Sequence, residues 1–190
     1  MNEIISQLNG VVSMWWAGLT VSAGLVLAAV APVQAQQPPE YTQRSIDLAA
    51  DGLDHLQARL ANGAVTLQGE PGLQQVVVEA HIYHYDAEDI VLTLVAEQGA
   101  ARLEASFGGG SYSGAAPYIN LHVRVPHHFS AEIEHGDGEV IVHELAGMLS
   151  LQNGAGDIQV SHVGGVHIEH RSGGKVNTRN IHGPVRIRQR

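Results

Sequence analysis

The chain has 190 residues, a formal net charge of −9 at pH 7, 22 glycines and no cysteine. The absence of cysteine excludes disulfides, thiolate catalysis and cysteine metal sites, and the acidic balance argues against nucleic-acid binding. A glycine-rich chain with only 15% charged residues is typical of short strands joined by turns.

The first 35 residues are predicted to be a targeting segment. An almost unbroken apolar run over residues 11–31 precedes Val33 and Ala35, which occupy the −3 and −1 positions of a signal-peptidase site. We therefore expect a cleaved signal peptide over residues 1–35 and a linker over residues 36–40. The usual basic residues before the run are missing, and a helix of this length, about 30 Å, could cross a bilayer, so an uncleaved anchor is the alternative. Both interpretations predict export to the periplasm, the cell surface or the medium, with membrane contact only if the segment stays uncleaved.

Residues 41–190 are predicted to form a single β domain that begins with hairpins. Asn62-Gly63 lies between two runs of alternating apolar residues, and this dipeptide is the strongest short signal for a hairpin with a type I′ turn. The glycine- and serine-rich segment Phe107–Pro117 is predicted to be a surface loop, because it lacks the lysine and the helix start of a phosphate-binding loop. Further strands are predicted over Val76–Tyr85, Ile90–Val95, Arg102–Phe107 and Ile119–Val125.

From Ser130 the sequence repeats itself every 18 residues, so that, for example, Val140, Ile158 and Val176 fall in phase. The units cover residues 130–147, 148–165 and 166–183, with a partial unit over 184–190. Alternating apolar positions indicate strands, and a unit this short cannot bury its own apolar face unless the units stack. The pattern predicts an all-β fold whose C-terminal half is a single-stranded β-solenoid with about 18 residues per rung, preceded by β-hairpins. A meander of hairpins with the same period is the competing architecture.

The same segment resembles a known family. Val123–Pro126 leads into Ala-Glu-Ile-Glu and then into Gly-Asp-Gly-Glu-Val, Gly-Ala-Gly-Asp-Ile and Ser-Gly-Gly-Lys-Val units, which look like the bacterial "putative adhesin" family of β-strand-repeat domains. Leu56–Val78 is similar to the family's opening, so the resemblance covers about residues 41–190. It implies an envelope location, a β-helix-like fold and no catalytic residues, and the family has no established function. Lys175, where the family usually has an acidic residue, and the basic C-terminus depart from the pattern.

Twelve histidines and two Gly-x-Gly-acid turns invite a metal hypothesis, but neither pattern is coherent. His81 and His84 are three apart on a predicted strand and therefore point to opposite faces, and the histidines are predicted to be solvated or in turns. Lys175 occupies the column of Glu139 and Asp157, where it would repel calcium. These two acids would lie about 4.8 Å apart, near the spacing of a glycosidase pair, yet any like-charged pair on stacked rungs would look the same. We predict no metal, no cofactor and no catalytic residue, with a carbohydrate-active enzyme as a weaker alternative.

The basic C-terminus is the candidate binding site. No acidic residue follows Glu169, and in the last segment Val185 and Ile187 alternate with arginines. Such charges protect an open sheet edge, and they also suit an anionic ligand. The candidate binding residues are Arg186, Arg188, Arg190 and Arg179.

Together these features predict a non-catalytic envelope or cell-surface protein of the adhesin type, monomeric, that presents a β-solenoid face for binding. The partner is predicted to be an envelope polymer, a glycan or a protein. The sequence has few aromatic residues, with both tryptophans in the signal segment, which counts against stacking on glycans. The alternative is a structural element that stacks through its solenoid edges.

Overall fold

The computed structural model describes residues 38–109 and 115–190, and within them the protein is all-β. A single 3₁₀ turn, Ala87–Asp89, precedes the fifth strand. The strands are β1 (Glu40–Ala49), β2 (His55–Leu60), β3 (Val65–Glu70), β4 (Gln75–His84), β5 (Ile90–Glu97), β6 (Ala100–Phe107), β7 (Tyr118–Pro126), β8 (Ser130–Asp137), β9 (Val140–Ala155), β10 (Ile158–Ser172), β11 (Val176–Ile181) and β12 (Val185–Gln189).

Some of the expectations from the sequence fall outside the described residues. The signal peptide or anchor over residues 1–35, the start of the linker and the middle of the Phe107–Pro117 loop are among them. In the ranges that the structure describes, no helix is both long and apolar enough to cross a bilayer. The four strands predicted before residue 126 are confirmed as β4, β5, β6 and β7.

The strands form one sheet wrapped around one core. The long strands β9 and β10 take part in two half-sheets, because their first residues pair with β3 and β11 and their last residues pair with β8 and β12. The first half-sheet has the order β1-β4-β7-β3-β9-β10-β11, and the second has the order β5-β6-β2-β8-β9-β10-β12. At one end β1 and β5 lie against each other, so the sheet is nearly closed there.

The 18-residue columns of the sequence lie side by side in the sheet. Val140, Ile158 and Val176 are register partners, and β8, β9, β10, β11 and β12 all pair in parallel. The alternating apolar side chains point into the core, where Val140 and Ile158 are fully buried. A meander of hairpins requires antiparallel neighbours, so that competing architecture is wrong.

The hairpin predicted at Asn62-Gly63 is also wrong. β2 and β3 do not pair with each other: β2 pairs in parallel with β6 and β8, and β3 pairs in parallel with β7 and β9. Gly63 instead turns the chain from one half-sheet to the other, with a φ of 143° and its N–H donated to the Asp137 carbonyl at 2.9 Å. A Cβ on Gly138 would lie 1.9 Å from the Gly63 carbonyl oxygen, so the two glycines stack at the same corner. The Asn-Gly dipeptide lies at a corner between the two half-sheets and not in a hairpin, and it fits either structure because both need a glycine at positive φ.

A hairpin does form before the repeat, between β5 and β6. These strands pair antiparallel through a turn at Gln98-Gly99, where both residues have positive φ. On the other half-sheet β1, β4 and β7 also pair antiparallel. Antiparallel strands therefore close the N-terminal end of the fold, whereas parallel strands make up its C-terminal end.

Candidate functional site: a groove beside the last strand

The arginines of β12 point outward because the alternate residues, Val185 and Ile187, extend the row of inward-facing side chains of β10. Val185 and Ile187 are register partners of the buried Val166 and Ile168. Side chains alternate along a strand, so Arg186, Arg188 and Arg190 lie on the outer surface of the second half-sheet. The structure therefore brings three of the four predicted binding residues together.

Two of these arginines line a groove with a third that the sequence analysis did not select. The cavity, about 110 Å³, is bounded by Arg171, Arg188 and Arg190 together with Gln152, Glu169 and His170. Arg171 and Gln152 also line a neighbouring cavity of about 300 Å³. Arg171 joins the site because it lies at the end of β10, one residue beyond the pair formed by His170 and Gln189. Its position in the basic stretch was visible in the sequence, but its neighbours follow only from the pairing of β10 with β12.

The groove is electrostatically positive. Arg188 Nη1 lies 3.7 Å from Glu169 Oε1, which His167 Nε2 also approaches at 3.6 Å. Among the described residues, no carboxylate lies within the 4.0 Å limit of an ion pair to Arg171 or Arg190. The groove is lined by one carboxylate, that of Glu169, and by three guanidinium groups, so its lining carries a net positive charge.

A buried polar column forms the inner wall of this corner. His135 Nδ1 lies 2.7 Å from Asn153 Oδ1, and Asn153 Nδ2 lies 3.5 Å from His170 Nδ1. His170 Nε2 in turn contacts the Gly173 carbonyl. Because the Asn153 oxygen accepts, His135 donates from Nδ1, and its buried Nε2 has no hydrogen-bond partner within the described ranges.

This column corrects the expectation that the histidines are solvated or in turns. His84, His135 and His170 are all buried. Burial lowers the pKa of His135, because the charged imidazolium loses its hydration, and the hydrogen bond with Asn153 opposes this only in part. The sequence pattern could not distinguish these positions, since a histidine in an apolar column is visible only once the inward face of each strand is known.

Arg179, the fourth predicted binding residue, lies elsewhere. It belongs to β11 in the first half-sheet, and it lines a separate cavity of about 410 Å³ with residues such as His143 and Asn177. The two half-sheets enclose the core, so outward side chains of β11 and β12 lie on opposite surfaces. Arg179 therefore cannot share a small ligand with Arg188 and Arg190.

The acidic side chains of the two turns that resemble calcium-binding fragments accept hydrogen bonds from the neighbouring unit. Asp157 Oδ1 accepts the N–H of Lys175 at 2.8 Å, so the contact between these residues uses the main chain and not the ammonium group. Glu139 Oε1 accepts a hydrogen bond from Gln159 Nε2 at 3.1 Å. Within the described ranges no group of three or more His, Asp or Glu side chains is placed to hold a metal ion.

One feature that the composition argued against is a row of tyrosines. Tyr41, Tyr83 and Tyr118 are register partners on β1, β4 and β7. Their ring centroids lie 5.2 Å and 4.5 Å apart, and the Tyr41 hydroxyl is 2.7 Å from His81 Nδ1. The row brings together three of the five tyrosines, which are far apart in the sequence. Only the antiparallel register reveals it.

Comparisons with known proteins find similar structures but no family assignment. No family model matches the chain, and no curated protein matches it either. A crystal structure described as a putative cell adhesion protein from Clostridium sporogenes is 12% identical, with a TM-score of 0.48 over 80% of this chain and 100% of that one. A putative adhesin from Parabacteroides distasonis is 11% identical, with a TM-score of 0.47 over 74% of this chain and 57% of that one.

A third structure, described as a putative lipid binding protein from Parabacteroides distasonis, is 11% identical, with a TM-score of 0.35 over 73% of this chain and 65% of that one. Two of the three names agree with the family that the sequence resembles. Because fold does not imply function, the role of the groove has to be argued from its own residues.

Proposed function

We propose that the protein is an exported, non-catalytic surface protein of the adhesin type that binds an anionic ligand beside its last strand. In this proposal residues 130–190 form a β-solenoid, and the groove bounded by Arg171, Arg188 and Arg190 is its binding site. The parallel register at 18-residue intervals supports the solenoid.

The observation that carries the binding role is the excess of positive charge in the groove. Arg171 and Arg190 have no ion-pair partner among the described residues, while the rest of the domain is acidic. Guanidinium groups bind carboxylates and phosphates through paired hydrogen bonds. The ligand class is therefore a surface molecule that carries carboxylate or phosphate groups.

A catalytic role has less support. Glu139 and Asp157, the acids with glycosidase-like spacing, each accept a hydrogen bond from the neighbouring repeat unit. A general acid or nucleophile has to face the substrate, usually from a cleft. Neither residue lines the cavities beside β12.

Binding can be tested with polygalacturonate, a carboxylated polysaccharide, and uncharged dextran as the reference. We expect calorimetry to show binding of polygalacturonate that weakens as salt is added, because salt screens exposed charges. Arg188→Gln with Arg190→Gln should weaken it at least about tenfold. The matched control is Arg102→Gln with Arg124→Gln, which removes the same charge from arginines that are paired to Glu97, Glu70 and Glu79.

The control pair should bind within about twofold of the wild type, since interactions at distant sites are independent. Equal losses in the two double variants would mean that only net charge matters and would refute the groove. Binding of dextran as tight as that of polygalacturonate would also refute it.

The solenoid can be tested by duplicating residues 148–165. One more unit should insert as one more rung and lengthen the folded protein by about 4.8 Å in small-angle scattering. Duplicating only residues 148–156 shifts the repeat by half a period and should prevent folding. If the longer duplication unfolds and the shorter one does not, the stacked-rung arrangement is wrong.

A second candidate function is that of an assembly element, and the edge of β12, which is unpaired among the described residues, favours it. Val185 is 53% exposed and Ile187 is 39% exposed, although both belong to the inward ladder. Exposed apolar side chains at a sheet edge favour association. Concentration-dependent growth of the particle mass in light scattering would support this function over a monomeric binding module.

A further inference from the structure

The two last strands leave a row of backbone groups unpaired. Within the described residues β11 and β12 each pair only with β10. The Val166 N–H donates to the Pro184 carbonyl at 2.9 Å, and the Arg190 N–H donates to the His170 carbonyl at 3.1 Å. Hydrogen bonding alternates from side to side along a parallel strand. The N–H and C=O groups of Val185, Ile187 and Gln189 therefore face the open edge.

The side chains of the same strand form a two-sided template. Val185 and Ile187 stand over the core with no further strand above them among the described residues. Arg186, Arg188 and Arg190 alternate with them on the outer surface. A strand added to this edge would place its inward residues over the valine and isoleucine, and its outward residues about 4.8 Å from the arginines.

The arginines of β12 determine which side chains an added strand should carry. A second copy approaching with its own β12 would set Arg186, Arg188 and Arg190 against the same three arginines, and opposed like charges destabilise strand pairing. Among the residues that the structure describes, Glu169 has the only carboxylate paired with these arginines. Acidic residues at alternate positions of an incoming strand would complement the row.

We infer that the open edge of β12 takes up an extended acidic segment of a partner protein as an additional parallel strand. The segment has apolar and acidic residues in alternation, so that backbone hydrogen bonds hold it and the arginines choose its charge. This is the β-augmentation mode of peptide recognition. The inference rests on the proposed function, which it deepens by naming an acidic polypeptide as the anionic ligand.

The test uses the chain without the expected signal peptide, residues 36–190. The probe is an end-blocked peptide of seven residues in which glutamate and valine alternate. We expect fluorescence anisotropy to show binding, and hydrogen exchange to show new protection of the Val185, Ile187 and Gln189 amides. Protection of the Arg186 and Arg188 amides should not change, since these groups already face β10. The alternation of protected amides distinguishes strand addition from simple charge attraction.

Two peptides serve as matched controls. Replacing glutamate by lysine keeps the strand pattern and reverses the charge, and it should abolish binding. Methylating the glutamate nitrogens keeps the charge but removes the N–H groups that face β12 in the parallel register. This peptide should bind at least about tenfold more weakly, because buried backbone groups need partners.

Each result has a definite meaning. If the methylated peptide binds as tightly as its parent and no edge amide is protected, strand addition is refuted, while polygalacturonate binding would still support the anionic groove. If the lysine peptide binds as tightly, the acidic partner is refuted. If sedimentation shows that the edge is already occupied by a second copy of the chain, the inference is overturned, and if neither probe binds, the proposed function fails with it.

Discussion

The two ends of this β-domain are built differently. At the N-terminal end the antiparallel strands β1 and β5 lie against each other, and Leu48 and Leu92 pack onto the core beneath them. At the C-terminal end β11 and β12 are the outermost described strands of the two half-sheets, and Ile187 is 39% exposed. Repeat folds need a cap because each rung buries its apolar face only against its neighbours. Among the described residues, antiparallel strands close one end, whereas the other end presents a strand edge that carries arginines.

The arginines of the open end can serve two roles at once. Charged side chains along an edge strand discourage uncontrolled pairing with other chains. The same charges favour a partner of opposite sign, so an edge that repels its own copy accepts an acidic strand. Edge protection and selective binding therefore depend on the same three arginines, Arg186, Arg188 and Arg190.

The largest expected effect comes from truncating a side chain of one core column, and a second residue of the same column provides the comparison. Leu103, Ala58, Ile133, Leu151, Ile168 and Ile187 are successive register partners across the second half-sheet. Leu103 is fully buried at the end of the domain that β1 and β5 close, so Leu103→Ala should lower the free energy of unfolding by about 3 kcal/mol. Ile187→Ala removes a side chain that is partly in water already, and it should cost about 1 kcal/mol. Urea denaturation of both variants measures the difference.

The two variants also test whether Ile187, at the edge of β12, is exposed in solution. Leu103→Val is the matched control, because it keeps most of the buried volume and should cost much less than Leu103→Ala. If Ile187→Ala destabilises the protein as much as Leu103→Ala does, Ile187 is covered in solution. A dependence of its effect on protein concentration would identify a second copy as the cover.

A smaller effect is expected from the glycines at the corners. Gly156 has a φ of 111°, and a Cβ there would lie 2.3 Å from the carbonyl oxygen of Gly138 in the neighbouring unit. Gly156→Ala should therefore cost about 2 kcal/mol, since it combines backbone strain with a clash. Gly173, beside the open end, has a φ of 57° and open space around the Cβ position. Gly173→Ala should cost about 1 kcal/mol, for the left-handed conformation alone.

Thermal unfolding of these two variants separates stacking from local geometry. Both changes add the same methyl group at a positive φ. They differ in two respects: a neighbouring unit lies against Gly156 and not against Gly173, and a φ of 57° is within the left-handed region that alanine can adopt whereas 111° is outside it. Equal losses of stability would show that Gly156 is not held against Gly138 in solution, and they would remove the packing reason for a glycine column.

The sequence predicted the repeat more accurately than it predicted the parts around the repeat. The 18-residue period identifies Val140, Ile158 and Val176 as one column because each unit makes the same contacts as the last. Outside the repeat, the same dipeptide signal at Asn62-Gly63 fits a hairpin and a corner equally well. The local sequence shows that a glycine at positive φ is needed at this position. It does not show which strands pair with β2 and β3, because those strands lie tens of residues away in the chain.

The candidate site also has one part that the local sequence predicts and another part that depends on strand pairing. Arg186, Arg188 and Arg190 could be grouped from the sequence because they alternate along one strand. Arg179 was grouped with them by nearness in the chain, yet a corner at Gly183 and Pro184 separates β11 from β12, and the two strands belong to different half-sheets. Arg171 and the buried His135–Asn153–His170 column depend on register between units, which composition and spacing do not reveal.

The smallest expected effect is on pH dependence, and it concerns the interior of the stack, between the two ends. Burial lowers the pKa of His135 below 6.5, so the unfolded chain binds more protons in the window beneath that value. Stability should therefore fall as the pH drops through about 6.5 towards the lowered pKa, and rise again as the pH is raised. His135→Asn removes the titrating group and keeps an amide beside Asn153, so its urea midpoint should change less between neutral and mildly acidic pH. An unchanged pH dependence in this variant would show that the acid sensitivity does not arise from His135.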